Sequence, residues 1–209
     1  YFDVGPGLSI DHIEEGPAAE VWVYEHPELR QTLAPDGRFR FEGFAPGMEV
    51  TLCLEAPGYV PIMTATFTRG ASDVERVTFQ VLSDDIRDAV TDILLTVSLD
   101  PDTCQLATTV TAADTWDSGI WAPGEPGATV RLTPAVDPAT GPFYFNQDVM
   151  PTPTLRETTT DGGVLYVNVP VGDYVMAGDK AGVTFDPVTL KCRAGWLVNA
   201  SPPYGVQAR

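Results

Sequence analysis

Two histidines, His12 and His26, and three cysteines, Cys53, Cys104 and Cys192, are the residues of this sequence best suited to act as bases, nucleophiles or soft metal ligands. Nucleophilic catalysis needs a base beside a serine or cysteine. Neither histidine neighbours a nucleophile elbow, and no Gly-x-Ser-x-Gly occurs. His26 precedes Pro27, which places it in a loop. The cysteines form no Cys-x-x-Cys pair, and two histidines do not complete a zinc site with them. Asp117-Ser118-Gly119, following Trp116, has the outline of an aspartic-peptidase signature. Those enzymes need two aspartates sharing a proton, and with no second copy the motif reads as a turn. The acid pairs Asp100/Asp102, Asp114/Asp117 and Glu14/Glu15 are able to hold Ca²⁺ together with backbone carbonyls. Among 29 acids such pairs arise by chance, and no loop follows an EF-hand pattern. A structural calcium ion stays open, no other cofactor is expected, and the expectation is a protein that is not an enzyme.

The elements that would carry these residues are short strands. Glu20–Tyr24, Arg38–Phe41, Glu49–Leu54 and Val77–Val81 are β-branched or aromatic runs, several alternating apolar with polar residues as a half-buried strand does. Pro-Gly and Asp-Gly punctuation separates them, from a pool of 19 glycines and 19 prolines, which favours a sandwich or barrel over an α/β fold. One segment breaks the pattern. Ser83 is placed to cap a helix whose first turn holds Asp84 and Asp85. Ile86, Val90, Ile93 and Leu94 then form one apolar stripe, so a helix is expected over 84–93, with a direct strand-to-strand connection as the alternative.

With 209 residues the chain is long enough for two ordinary β domains, and a 44% hydrophobic share argues against disorder. A net charge of −17 repels phosphate backbones and anionic membranes, which excludes nucleic-acid binding. No apolar stretch is long enough for a membrane span. The chain begins at Tyr1 rather than methionine, compatible with removal of an export signal. Cys104 precedes the first strand pattern of the second half and Cys192 lies in its last, so a Cys104–Cys192 disulfide is expected, with three reduced thiols as the alternative. Cys53 is read as a packing residue.

An internal repeat organises the chain. Leu29-Arg30-Gln31-Thr32, Asp36-Gly37, Phe39-Arg40-Phe41, Pro46-Gly47 and Ala56-Pro57-Gly58-Tyr59 follow one another in the first half. Leu155-Arg156-Glu157-Thr158, Asp161-Gly162, Val164-Leu165-Tyr166, Val171-Gly172 and Lys180-Ala181-Gly182-Val183 do so in the second. Upstream, Glu20–Val23 parallels Thr129–Leu132. A strand, then Thr-x-x-x-Asp-Gly-x-Phe-x-Phe, then Pro-Gly and a strand leading to Pro-Gly-Tyr resembles carboxypeptidase regulatory-like domains, over about residues 16–82 and more loosely 104–200. The resemblance implies transthyretin-like sandwiches and is nearly silent on activity.

The expected fold is therefore all-β: two tandem Ig-like or transthyretin-like β-sandwiches joined by a short helix or linker. The parts are an N-terminal strand or arm (1–15), a first sandwich (16–83), a connection (84–96) and a second sandwich (97–209). The second carries two long insertions, Ala113 to Pro126 and Pro134 to Thr154, bearing Trp116, Trp121, Phe143, Tyr144 and Phe145, candidate binding loops whose alternative is a satellite core. Leu8, Ile10 and Ile13 alternate like a lone strand that pairs at home or adds to a neighbour's edge. The expected function is a non-catalytic, secreted or cell-surface structural or adhesive module, able to act as a self-assembling subunit. A carbohydrate- or protein-binding accessory module is the second reading.

Overall fold

A computed structural model of the chain describes residues 2–4, 10–11, 19–34, 37–71, 74, 77–115, 122–201 and 205–209. It is an all-β sandwich. The first half holds β1 (Phe2–Val4), β2 (Ile10–Asp11), β3 (Glu20–Val23), β4 (His26–Thr32), β5 (Glu49–Val50), β6 (Leu52–Glu55), β7 (Ile62–Met63), β8 (Phe67–Thr68) and β9 (Gln80–Val81). The second holds β10 (Thr103–Thr109), β11 (Thr129–Thr133), β12 (Phe143–Phe145), β13 (Pro151–Thr152), β14 (Gly163–Pro170) and β15 (Gly172–Asp179). It ends with β16 (Phe185–Asp186), β17 (Val188–Cys192), β18 (Leu197–Asn199) and β19 (Gln207–Ala208).

Strands of both halves form one nine-stranded sheet in the order β13-β12-β14-β10-β18-β7-β6-β3-β4. The join is β18, which runs parallel to β10 on one side and parallel to β7 on the other. A separate three-stranded sheet, β11-β15-β17, faces the second half's part of it. Between them lie Val130, Leu132, Met176 and Leu190 on one side and Leu106, Tyr144, Val164 and Tyr166 on the other, all buried. Val21, Val23, Leu54, Ile62, Phe79 and Val81 make the first half's core. Burial of each such side chain contributes about 1.5–3 kcal/mol.

The sequence repeat has a counterpart in strand register. Glu20 pairs with Glu55, immediately before the Ala56–Tyr59 turn, and Thr129 pairs with Asp179, immediately before the Lys180–Val183 turn. Each turn closes at 3.1 Å, Tyr59 N–H to Ala56 C=O and Val183 N–H to Lys180 C=O. Gly58 (φ 83°) and Gly182 (φ 77°) hold the left-handed position that a side chain resists. The correspondence stops elsewhere: Leu29–Thr32 lies in β4, whereas Leu155–Thr158 is in no strand.

Arg38–Phe41 is not a strand, in contrast to the alternation of its sequence. Phe39 and Phe41 do face the core, and Phe39 lies 5.8 Å from Phe79 between ring centroids. The backbone joins no ladder there, and the Gln31 side-chain amide donates to the Arg40 carbonyl at 3.1 Å instead. Val77–Val81 likewise shortens to β9. His26, expected in a loop, opens β4, with Nδ1 3.3 Å from Glu28 Oε1.

The expected helix is present but changes pitch. The α-helical part, Asp84–Asp88, is capped by Ser83, whose hydroxyl accepts from Ile86 N–H at 3.4 Å. Residues Ala89–Leu95 continue as a π-helix. The wider turn moves the buried stripe: Leu95 and Thr91 face inward, while Ile93 is 73% exposed. Thr91 Oγ1 donates back to the Arg87 carbonyl at 3.0 Å, a bond that competes with the α-helical ladder.

Candidate functional site

Two places concentrate polar and aromatic groups: the seam between the halves and the second insertion of the second half. The seam follows β18. Trp22 on β3 and Trp196, just before β18, meet edge to face at 5.7 Å. The Arg30 guanidinium covers the Trp22 ring at 3.9 Å and bonds Glu20 at 2.6 Å. Arg193 donates to the Tyr24 hydroxyl at 2.6 Å and to Asp173 at 2.9 Å.

Lys191, on β17, reaches across to Glu25 at 3.4 Å and Glu49 at 3.3 Å. Glu25 accepts from both the amide (2.9 Å) and the hydroxyl (2.7 Å) of buried Thr51. Thr66 completes the cluster, 2.7 Å from the Thr51 hydroxyl, and its N–H donates to Thr189 C=O at 2.8 Å. Burial pulls the Lys191 ammonium toward deprotonation, but bonding and charge from Glu49 and Glu25 outweigh it and hold the pKa above the usual lysine range. These contacts are ionic and hydrogen-bonded locks rather than a reactive set, because each charged group faces a partner of opposite sign.

Cys104 on β10 and Cys192 on β17 are joined by a disulfide, with Cα atoms 5.6 Å apart. It staples the nine-stranded sheet to the smaller one. Cys53 is a free thiol, fully buried. Burial first, then the carboxylates of Glu25 and Glu55, pushes its pKa up to about 12, which removes thiolate chemistry at neutral pH.

The second insertion builds a hairpin, β12–β13, with Tyr144 opposite Thr152 and Phe145 opposite Pro151. Tyr144 is buried, and its hydroxyl accepts from Val130 N–H at 3.0 Å. Tyr166 donates to the Val130 carbonyl at 2.9 Å, and Thr158 bonds both backbone groups of Ala128. The outer-edge N–H and C=O of Val130 are thereby satisfied from outside its own sheet, which discourages strand addition at that position. Burial raises the pKa of both tyrosines. The Phe145 ring lies over Gly163, where a Cβ would come within 2.6 Å of it. Phe143 is half-buried and also lines an open groove of about 390 Å³, whose other walls include Pro138, Pro142, Leu155 and Arg156.

Among the expected site residues, Trp116 and Trp121 lie outside the described residues, as do Leu8, Ile13, His12 and Asp117-Ser118-Gly119. The backbone of Ile10 pairs with Val4 of the same chain. Asp100 Oδ1 accepts from Asp102 N–H at 2.9 Å, so that acid pair forms a turn. Among the described residues, no three His, Cys, Asp or Glu side chains gather as a metal site. No helix among them is long and apolar enough to cross a membrane. Sequence reading missed the seam residues Arg193 and Trp196, whose signal is only the contrast of Arg and Trp flanking Ala194-Gly195.

The fold class these elements define is an all-β sandwich. No protein-family model matches the chain, nor does any curated protein sequence. Solved structures similar to it include the Bacillus anthracis TIE protein, at 15% identity and a TM-score of 0.28, with 95% of this chain and 31% of that one covered. The minor pilin of Streptococcus agalactiae is 12% identical with a TM-score of 0.32, covering 100% of this chain and 87% of that one. A streptococcal ancillary pilin is 13% identical with a TM-score of 0.31, covering 93% and 62%. The chain thus spans about a third of the first of these proteins, and superpositions this distant carry no argument about function.

Proposed function

We propose that the chain is a non-catalytic, extracellular structural module, a rigid spacer made of two copies of one sandwich plan. The copies are residues 16–83 and 97–209, and the segment 84–96 connects them. The observation that carries this reading is β18 lying hydrogen-bonded between β7 and β10, which supports a continuous sheet across the halves. The Trp22–Trp196 contact and the Lys191 cluster support it, since both resist rotation across the seam. The matching registers around Gly58 and Gly182 support the duplicated plan. A disulfide that persists favours an oxidising compartment outside the cytosol.

Paired spin labels at Glu28→Cys and Asp179→Cys, both exposed positions on opposite halves, test the reading by the distance distribution between them. A single narrow distribution is expected. With the labelled chain diluted in excess unlabelled protein, so that only distances within one copy are read, a broad or two-peaked distribution would mean a flexible linker and ends the spacer interpretation.

A further inference from the structure

The loop that closes the β12–β13 hairpin is built around Asn146. Its N–H donates to the Met150 carbonyl at 2.9 Å, and its carbonyl accepts from Val149 N–H at 3.2 Å. Its side-chain oxygen accepts from the N–H groups of Asp148 (2.9 Å) and Met150 (3.1 Å). This is a tight turn followed by one left-handed residue, a position glycine ordinarily fills. Here it is Val149, at φ 60°. A β-branched side chain held there costs about 1–2 kcal/mol. The loop carries that cost while presenting Val149 (37% exposed) and Met150 (36% exposed) to solvent. A strained, outward-facing apolar tip is a feature that stability alone does not explain.

The complement of the tip lies on the same insertion and the two residues that follow it. The groove walled by Pro138, Pro142, Phe143 and Leu155 also has Arg156 in its lining. Arg156 donates to the carbonyls of Pro153 (2.8 Å) and Leu155 (3.1 Å), which fixes the guanidinium without neutralising it. Among the described residues Arg156 has no carboxylate partner, unlike Arg30, Arg87, Arg193, Lys180 and Lys191. On the tip, the Asp148 carboxylate has no partner of its own among the described residues; the loop uses only its N–H.

We propose that this face docks on a second copy of the chain, with the Asp148–Val149–Met150 tip of each copy seated in the groove beside Arg156 of the other. The charges are complementary: an unpaired acid flanks the apolar tip, and an unpaired cation flanks the apolar groove. One copy carries both tip and groove, so a two-fold exchange between copies satisfies both and closes the pair. A second copy fits better than an unrelated partner, because one molecule supplies both halves of the match.

The proposal stands apart from the spacer reading, since loss of pairing leaves the spin-label distance unchanged. Sedimentation equilibrium of the full chain at about 150 mM salt tests it, where long-range repulsion between acidic copies is screened beyond roughly 8 Å. A concentration-dependent dimer is expected. Arg156→Glu and Asp148→Arg each weaken it by about tenfold or more, and the double variant restores it to within roughly threefold. A chain that stays monomeric up to about 1 mM overturns the proposal. So does a double variant no better than the singles. Circular dichroism of the variants verifies that these exposed substitutions leave the fold intact.

Discussion

Trp22 and Trp196 meet at an interplanar angle of 83° although one lies on β3 and the other precedes β18, near the opposite end of the chain. Trp22 is buried, and Trp196 covers it from the second half. The pair therefore couples the two halves, and edge-to-face rings contribute about 0.5–1.5 kcal/mol beyond the area they bury.

A double-mutant cycle checks that coupling. Trp22→Ala is expected to cost about 3–5 kcal/mol through the cavity it leaves. Trp196→Ala costs less, being half-exposed, and the interaction energy is about 1 kcal/mol. Denaturant unfolding followed by fluorescence supplies the four stabilities. Strict additivity would show that the rings touch without holding the seam.

The disulfide closes a loop with a sequence separation of 88 residues. Chain-entropy arithmetic for such a loop gives about 4–5 kcal/mol of stabilisation. The Cys104→Ala/Cys192→Ala variant is expected to melt roughly 8–20 °C lower, at about 2–4 °C per kcal/mol for a chain of this size. In the oxidised native protein the buried Cys53 thiol should resist alkylation at neutral pH. Rapid labelling of Cys53 without denaturant would contradict its burial and its raised pKa.

Lys191 makes the seam sensitive to alkali. Its folded pKa lies above the usual lysine range, through bonding and charge from Glu49 and Glu25. Its contribution is therefore fully present below that range and is lost as pH rises through the folded pKa. Lys191→Met is expected to cost about 2 kcal/mol at neutral pH by stranding Glu25 and Glu49. The gap between variant and parent should close above about pH 10.5. Tyr144, Tyr166 and Tyr174, whose pKa values are also raised, destabilise both proteins in alkali, so only the difference reports Lys191. Thermal melts across that range provide the measurement, and a gap independent of pH argues against the ion cluster.

Local signals carried much of this fold. Gly58 and Gly182 mark turns because only glycine readily takes their left-handed backbone, and Ser83 marks a helix start through its hydroxyl. Phe39 and Phe41 misled because alternation reports which side chains face the core, whereas a strand also needs a backbone partner. The π turn at Ala89–Leu95 moved the buried stripe off the spacing that an α-helix implies. The placement of β18 had no local signal at all, since its neighbours β7 and β10 are both parallel and distant in sequence. Arg156 and Asp148 were hidden for a related reason: that a charge lacks a partner becomes visible only when every neighbour is in place.

Val149 separates stability from association. Glycine takes a φ of 60° without the clash that a β-branched side chain meets. Val149→Gly should relieve that strain, offset in part by the greater freedom glycine gives the unfolded chain. The expected net effect is a stability unchanged or raised by up to about 1 kcal/mol, read from denaturant midpoints. The same change removes one of the two apolar side chains of the tip on each copy, so the dimer should weaken by roughly a hundredfold in sedimentation, the cost of burying two small side chains less. Loss of both stability and pairing would instead assign Val149 to packing, and pairing that survives the change would mean that the tip does not enter the groove.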